Sequence, residues 1–208
     1  MNKIYVLNIK KFNDPDIYME ARRHISEERI KKADSMARMQ GKFRSVGAGY
    51  LISIGLEDAG LSPFDERIAY STYGKPYLPD HPDVHFNVSH SGNYVVCAFA
   101  DKTVGIDIEE IHDIKPSLVK YALNKQEFTM YDNLPESERL NFFFENWTGK
   151  EAFLKHIAKG LSVRPSEIYA KYEEKINALN FYNWHDIPGY VITLCSAMEK
   201  PDLTEVEL

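Results

Sequence analysis

Val104-Gly105-Ile106-Asp107-Ile108-Glu109 alternates apolar and acidic side chains with a period of two, the pattern of a β-strand. Ile106 and Ile108 point to one side and pack inward, while Asp107 and Glu109 project together on the other. Two carboxylates on one strand face can hold a hard divalent cation such as Mg²⁺. That ion takes one or two protein carboxylates and fills its remaining positions with water and phosphate oxygens. A solvated strand face gives the same pattern, so the stretch alone leaves both readings open.

On the N-terminal side of this strand, Asp16 to Leu56 reads as mainly helical. Ser26 offers a cap ahead of Glu27 and Glu28, and a further helix is predicted over Gly41 to Ile54. Strands follow at Ile68 to Thr72, Val84 to Val88 and Tyr94 to Ala100, with a turn at Gly74-Lys75-Pro76-Tyr77 and a break at Ser-Gly-Asn. On the C-terminal side, helices are predicted at Leu118–Leu123, Lys125–Leu134 and Glu138–Ala158. Strand-like pieces come next at Glu167–Tyr172, Ala178–Trp184 and Tyr190–Ser196. Helices then strands, twice over, predict an α+β fold of two similar halves in pseudo-twofold relation, residues 1–105 and 106–208. Gly92-Asn93-Tyr94-Val95-Val96-Cys97-Ala98 and Gly189-Tyr190-Val191-Ile192-Thr193-Leu194-Cys195 echo one another, each a turn entering an apolar strand.

The 208 residues carry a net charge of -6, which argues against a general nucleic-acid binder, since that needs a basic face to replace phosphate counterions. Any phosphate site must therefore be locally basic. Met1 to Lys10 opens with an apolar run far too short for a signal peptide or a membrane span, so a cytoplasmic protein without membrane attachment is expected. Cys97 and Cys195 lie in apolar runs and read as buried free thiols.

A second charged patch lies in Trp147-Thr148-Gly149-Lys150-Glu151-Ala152-Phe153-Leu154-Lys155, where helical spacing puts Trp147, Glu151 and Lys155 on one stripe. A surface pair at i and i+4 would be worth about 0.3 to 0.5 kcal/mol. Yet Phe142, Phe143, Phe144, Phe153, Leu154 and Ile157 leave little of this helix free for water, which suits a Glu and a Lys at the mouth of a cleft. A third segment, Ser89-His90-Ser91-Gly92, reads as a strand interrupted by a hydroxyl, an imidazole and accessible amides. Such a break suits an anion, and a capping or core histidine fits the same residues.

In order, Gly74-Lys75-Pro76, Phe86-Asn87-Val88-Ser89-His90-Ser91, Val104 to Glu109, Glu127-Phe128 and Trp147-x-x-Lys150-Glu151-Ala152-x-x-Lys155 resemble the 4′-phosphopantetheinyl transferases. The likeness is to the larger, monomeric type that activates peptide and polyketide synthetases. It implies coenzyme A in a cleft between two α+β halves and transfer of its phosphopantetheine arm to a serine of an apo acyl or peptidyl carrier protein. It further implies Mg²⁺ among Asp107, Glu109 and Glu151, with Glu151 taking the serine proton directly or through water and Lys155 on the leaving phosphate. Ser89, His90, Asp107 and Lys155 would contact coenzyme A near its phosphates, and Tyr73, Gly74, Lys75 and Pro76 would line the adenine side. Arg44 and Lys31 would lie near the 3′-phosphate. Two positions depart from the pattern: Glu28 stands where a basic residue is common, and Gly149 interrupts the second motif's helix. The same acids could serve a Mg²⁺-dependent phosphodiesterase or nucleotidyl transferase, for which water would be the acceptor, and a non-catalytic carrier-binding module would be expected to lack one of them.

Overall fold

The structure is a computed structural model that describes residues 2–160 and 163–208. The chain runs through β1 (Lys3–Asn8), α1 (Pro15–Arg23), α2 (Glu27–Asp34), α3 (Met39–Asp58), β2 (Ala69–Tyr70), β3 (Pro76–Tyr77), β4 (His85–Ser91), β5 (Tyr94–Ala100) and β6 (Val104–Glu110). It continues through α4 (Pro116–Ala122), α5 (Lys125–Asn133), α6 (Glu136–His156), α7 (Ile168–Asn177), β7 (Asn180–Trp184), β8 (Tyr190–Ser196) and β9 (Leu203–Glu205). The architecture is α+β. Among the described residues no helix is long and apolar enough to cross a membrane.

One sheet has the order β4-β5-β1-β9 and another the order β6-β8-β7. Each has as an inner strand a member of the echoed pair, β5 or β8, entered through a turn glycine at positive φ, Gly92 or Gly189. Alternation along the strands then builds the layers. Leu7, Val95 and Phe99 face the helical side with Val46, Leu51 and Leu56 of α3, while Ile4, Val6, Val96 and Ala98 face Ile106, Ile108, Ile192 and Leu194 of the second sheet. On the far side of that sheet, Val191 packs with Phe143 and Phe144, and Cys195 with Ala152 and Phe153, all from α6. Each fully buried Leu, Ile or Phe in these layers contributes about 1.5 to 3 kcal/mol.

α6 sits unusually close to β6, and Gly105 is the reason. A methyl group there would fall 2.0 Å from the Ala152 carbonyl oxygen and 2.4 Å from the His156 amide nitrogen. Gly149 is different. A methyl at that position would meet only Phe181, at 4.0 Å, so nothing in the packing demands glycine there. Gly149→Ala is expected to stabilise the protein by about 1 kcal/mol and raise the melting temperature by about 2 to 4 °C, read from thermal unfolding.

Several elements differ from the sequence reading. Glu167–Tyr172 is not a strand: Pro165–Glu167 form a short 3₁₀ turn leading into α7. Ile168, Tyr172 and Ile176 recur every four residues and pack against α6, so the helical period prevails over their strand propensity. Ser89-His90-Ser91 does not interrupt a strand. β4 continues to Ser91, pairing Ser89 with Val96, His90 with Val95 and Ser91 with Tyr94, and the turn is confined to Gly92-Asn93. The Ile68–Thr72 strand shrinks to Ala69–Tyr70, and β9, unforeseen, pairs in parallel with β1.

Candidate active site

β4 and β6 approach one another along the seam between the two sheets, and side chains bridge it. Asn87, Ser89 and Ser91 share one face of β4. Asn87 Oδ1 accepts from the Ile106 amide at 2.9 Å, Ser89 Oγ donates to Asp107 Oδ1 at 2.7 Å, and Ser91 Oγ donates to Glu109 Oε2 at 2.7 Å. The supposed break is thus a polar strand face that orients the two acids of β6. Asp107 is 4 % exposed, so its strand face is covered rather than solvated.

α6 covers that face. Lys155 Nζ donates to Asp107 Oδ1 at 2.6 Å, to Ser89 Oγ at 2.8 Å and to the Ile106 carbonyl at 3.2 Å, which satisfies all three ammonium hydrogens. Glu151, one turn earlier, joins the same charge cluster. Its carboxyl is pushed up to about 7, first by burial and then by the negative charge of Asp107, against the opposing pull of Lys155. Glu109 is also raised, by burial and Asp107, and is partly relieved by hydrogen bonds from Ser91 and the Trp147 indole. The stripe of Trp147, Glu151 and Lys155 therefore does converge on Asp107 and Glu109.

The remaining predicted residues divide into those near this cluster and those apart from it. Arg44, on α3, donates through Nη2 to the Gly92 carbonyl at 2.9 Å, and its charge reaches His90. Partial desolvation and the positive charges of Arg44 and Lys155 lower the His90 pKa, so the imidazole is neutral near pH 7. Lys75 turns inward, where its ammonium donates to the Val104 carbonyl at 2.8 Å and the His156 carbonyl at 3.3 Å, and burial lowers its pKa to about 8. It ties the Ser71–Tyr77 turn to the start of β6 and the end of α6, a role not visible in its sequence context. Tyr73 is exposed, with Lys159 Nζ 5.6 Å from its ring, and Gly74 and Pro76 complete the turn beside it. Lys31 is exposed on α2, its Nζ 3.7 Å from Glu27.

Two supports went unassigned in the sequence reading. Lys150, 2 % exposed, forms a buried ion pair with Glu127 and also donates to the Ala122 carbonyl at 2.7 Å, locking α4 and α5 to α6. Asn87 was unassigned as well. The polar alternation 87, 89, 91 in an otherwise apolar strand was its available signal.

Asp107 Oδ2 is buried and has no hydrogen-bond partner among the described residues, and two further carboxyls beside it, Glu109 and Glu151, are raised first by burial and then by the Asp107 charge. Among the described residues no three acids or imidazoles lie close enough to hold a metal ion as they stand. The donor set still fits a hard divalent cation: oxygen ligands, an orphaned carboxylate oxygen, and negative charge in excess of the one ammonium present. Without such a cation, Glu151 binds its proton more tightly in the folded than in the unfolded chain. The penalty is absent below about pH 4.5 and complete above about pH 7. At about 1.4 kcal/mol per pH unit it is at most about 3 kcal/mol, and about 2 after allowance for partial exposure. Glu151→Gln is therefore expected to be about 2 kcal/mol more stable than the parent at pH 8 without divalent ions and equal to it near pH 4, measured by urea unfolding.

Residues 103–195, which include β6 and all of α6, match the family model described as the 4′-phosphopantetheinyl transferase superfamily. The chain is 32% identical over 155 residues to 4′-phosphopantetheinyl transferase Sfp of Bacillus subtilis (strain 168), covering 70% of this chain and 68% of that protein. It belongs to the 4′-phosphopantetheinyl transferase superfamily. A second relative, 4′-phosphopantetheinyl transferase ffp of Bacillus subtilis, is 29% identical over 192 residues, 87% of this chain and 85% of its own length. The human L-aminoadipate-semialdehyde dehydrogenase-phosphopantetheinyl transferase is 32% identical over 109 residues, 46% of this chain and 35% of its own. Within this transferase superfamily member, Asp107, Glu109, Glu151 and Lys155 all fall inside the matched segment, whereas Lys31, Arg44, Tyr73 to Pro76, Ser89 and His90 precede it.

Proposed function

We propose that the protein transfers the 4′-phosphopantetheine arm of coenzyme A to a serine of an apo acyl or peptidyl carrier protein. The observation that carries this reading is the convergence of Asp107, Glu109, Glu151 and Lys155 at the β4–β6 seam in a chain of this superfamily. The chain divides within β6, between residues 105 and 106, into two halves, with β9 returning to the first sheet, and coenzyme A lies along the seam between them. Tyr73, Gly74, Lys75 and Pro76 border the adenine side; Ser89, His90 and Asp107 meet the phosphates, with Arg44 beyond them. Lys31 is assigned to the 3′-phosphate only by resemblance; on α2 it is exposed and its Nζ lies 3.7 Å from Glu27.

In the reaction the serine oxygen bonds to the phosphorus carrying pantetheine, and the P–O bond of the pyrophosphate bridge breaks. The electron pair leaves on the 5′-phosphate of adenosine 3′,5′-bisphosphate. Glu151, whose carboxyl burial pushes up to about 7 when no cation is bound, accepts the serine proton directly or through water, and Lys155 neutralises the departing phosphate. Asp107, Glu109 and Glu151 would hold Mg²⁺, which supplies charge neutralisation at the pyrophosphate. Both acidic patches come from one chain, which fits action as a monomer.

The rival phosphodiesterase reading uses the same acids with water as acceptor. Incubation with Mg²⁺ and coenzyme A, with and without an apo carrier, separates the two. Release of adenosine 3′,5′-bisphosphate only when carrier is present supports transfer; equal release without carrier would establish hydrolysis instead.

A further inference from the structure

Among the described residues, Asp107 binds through one oxygen: its Oδ1 accepts from both Ser89 Oγ and Lys155 Nζ, while Oδ2 is buried without a partner. Lys155 in turn has every donor engaged, on Asp107, Ser89 and Ile106. All three acceptors belong to the β4–β6 seam, so the ammonium sits where cationic charge is needed, among three carboxylates. We propose that Lys155 is an internal counter-cation that holds Asp107 until coenzyme A arrives, so that Lys155 and a divalent ion compete for this carboxylate. The inference rests on the metal assignment made above and adds an order of events to it.

Asp107 is too small to serve both cations well. An ammonium hydrogen-bonded to Oδ1 repels a dication approaching Oδ2 a few ångströms away, in a buried site where screening by solvent is weak. The pyrophosphate of coenzyme A offers a stronger anionic partner to Lys155, whose long side chain is 27% exposed. Once Lys155 turns to phosphate, Asp107 loses its ammonium and can take the divalent ion. Coenzyme A and the metal should then bind cooperatively, and linkage requires each to tighten the other by the same factor. Metal without coenzyme A would be disfavoured, which prevents an occupied centre from facing water before the donor substrate is in place.

Mn²⁺, a hard cation visible by electron paramagnetic resonance, is the probe. With no coenzyme A present, Lys155→Met is expected to bind Mn²⁺ on the order of tenfold more tightly than the parent, within the usual range of coupling between interacting sites. Lys155→Arg, which keeps the charge, should bind as weakly as the parent, and the tightening of Mn²⁺ by coenzyme A should shrink in Lys155→Met. Thermal unfolding checks that each variant is folded; if Lys155→Met is not, Lys155→Gln takes its place. Equal or weaker Mn²⁺ binding by the charge-neutral variant would overturn the competition while leaving the metal site intact. No Mn²⁺ binding by any variant, with or without coenzyme A, would overturn the metal assignment itself and the competition with it.

Discussion

Asp107→Ala is expected to lower phosphopantetheine transfer by about 10³-fold or more while the protein keeps its fold. The magnitude follows from what Asp107 does. It is the acid nearest Lys155, it accepts from Ser89, and it supplies the orphaned oxygen that fits a divalent ion. Removing one preorganised electrostatic contact in a buried reaction site costs about 10² to 10³ in rate, and here one carboxylate anchors two such contacts. The fold survives because the strand pairing of β6 with β8 uses backbone atoms, and Ile106 and Ile108 on the opposite face are untouched. Lys155 keeps Ser89 Oγ and the Ile106 carbonyl as acceptors. Steady-state transfer rates and far-ultraviolet circular dichroism report the two halves of this expectation. Transfer at the parental rate would remove Asp107 from the site.

Gly105→Ala should have the opposite profile, losing stability first. An added methyl would sit 2.0 Å from the Ala152 carbonyl oxygen and 2.4 Å from the His156 amide, both backbone atoms of α6 that no rotamer change can move. Helix and strand must separate, at a cost of about 3 kcal/mol or more. The separation also carries Glu151 and Lys155 away from Asp107 and releases the Lys75 ammonium from the carbonyls of Val104 and His156. Urea unfolding should show the lost stability, and the fraction still folded should transfer slowly. An unchanged unfolding midpoint with parental activity would mean that the close packing of α6 on β6 is unimportant to either.

How much of this was legible beforehand depended on whether the signal was local. The period of two in Val104–Glu109 was, and it correctly placed Ile106 and Ile108 between the sheets and Asp107 and Glu109 together on the other face. The i, i+4 stripe of α6 brought Glu151 and Lys155 to those acids for the same reason. Ser89-His90-Ser91 misled because serines resemble a strand break until their acceptors on β6 are known, and those lie 18 residues away. Ile168 and Tyr172 have strand propensity, and only their packing against α6 selects the helix. β9 is three residues long and is held by β1 at the other end of the chain, so nothing in Leu203-Thr204-Glu205 announces it. The backbone carbonyls that hold the Lys75 ammonium were not foreseen, because such partners have no sequence signature.

If these four charged residues serve group transfer to a carrier protein, the intact mass of the carrier must rise. A panel of apo acyl and peptidyl carriers is incubated with the protein, Mg²⁺ and coenzyme A, and each carrier is weighed intact. At least one carrier should gain the mass of a single phosphopantetheine arm, and should not gain it with Asp107→Ala. No adduct on any carrier, with the parent protein folded and coenzyme A intact, would contradict the account.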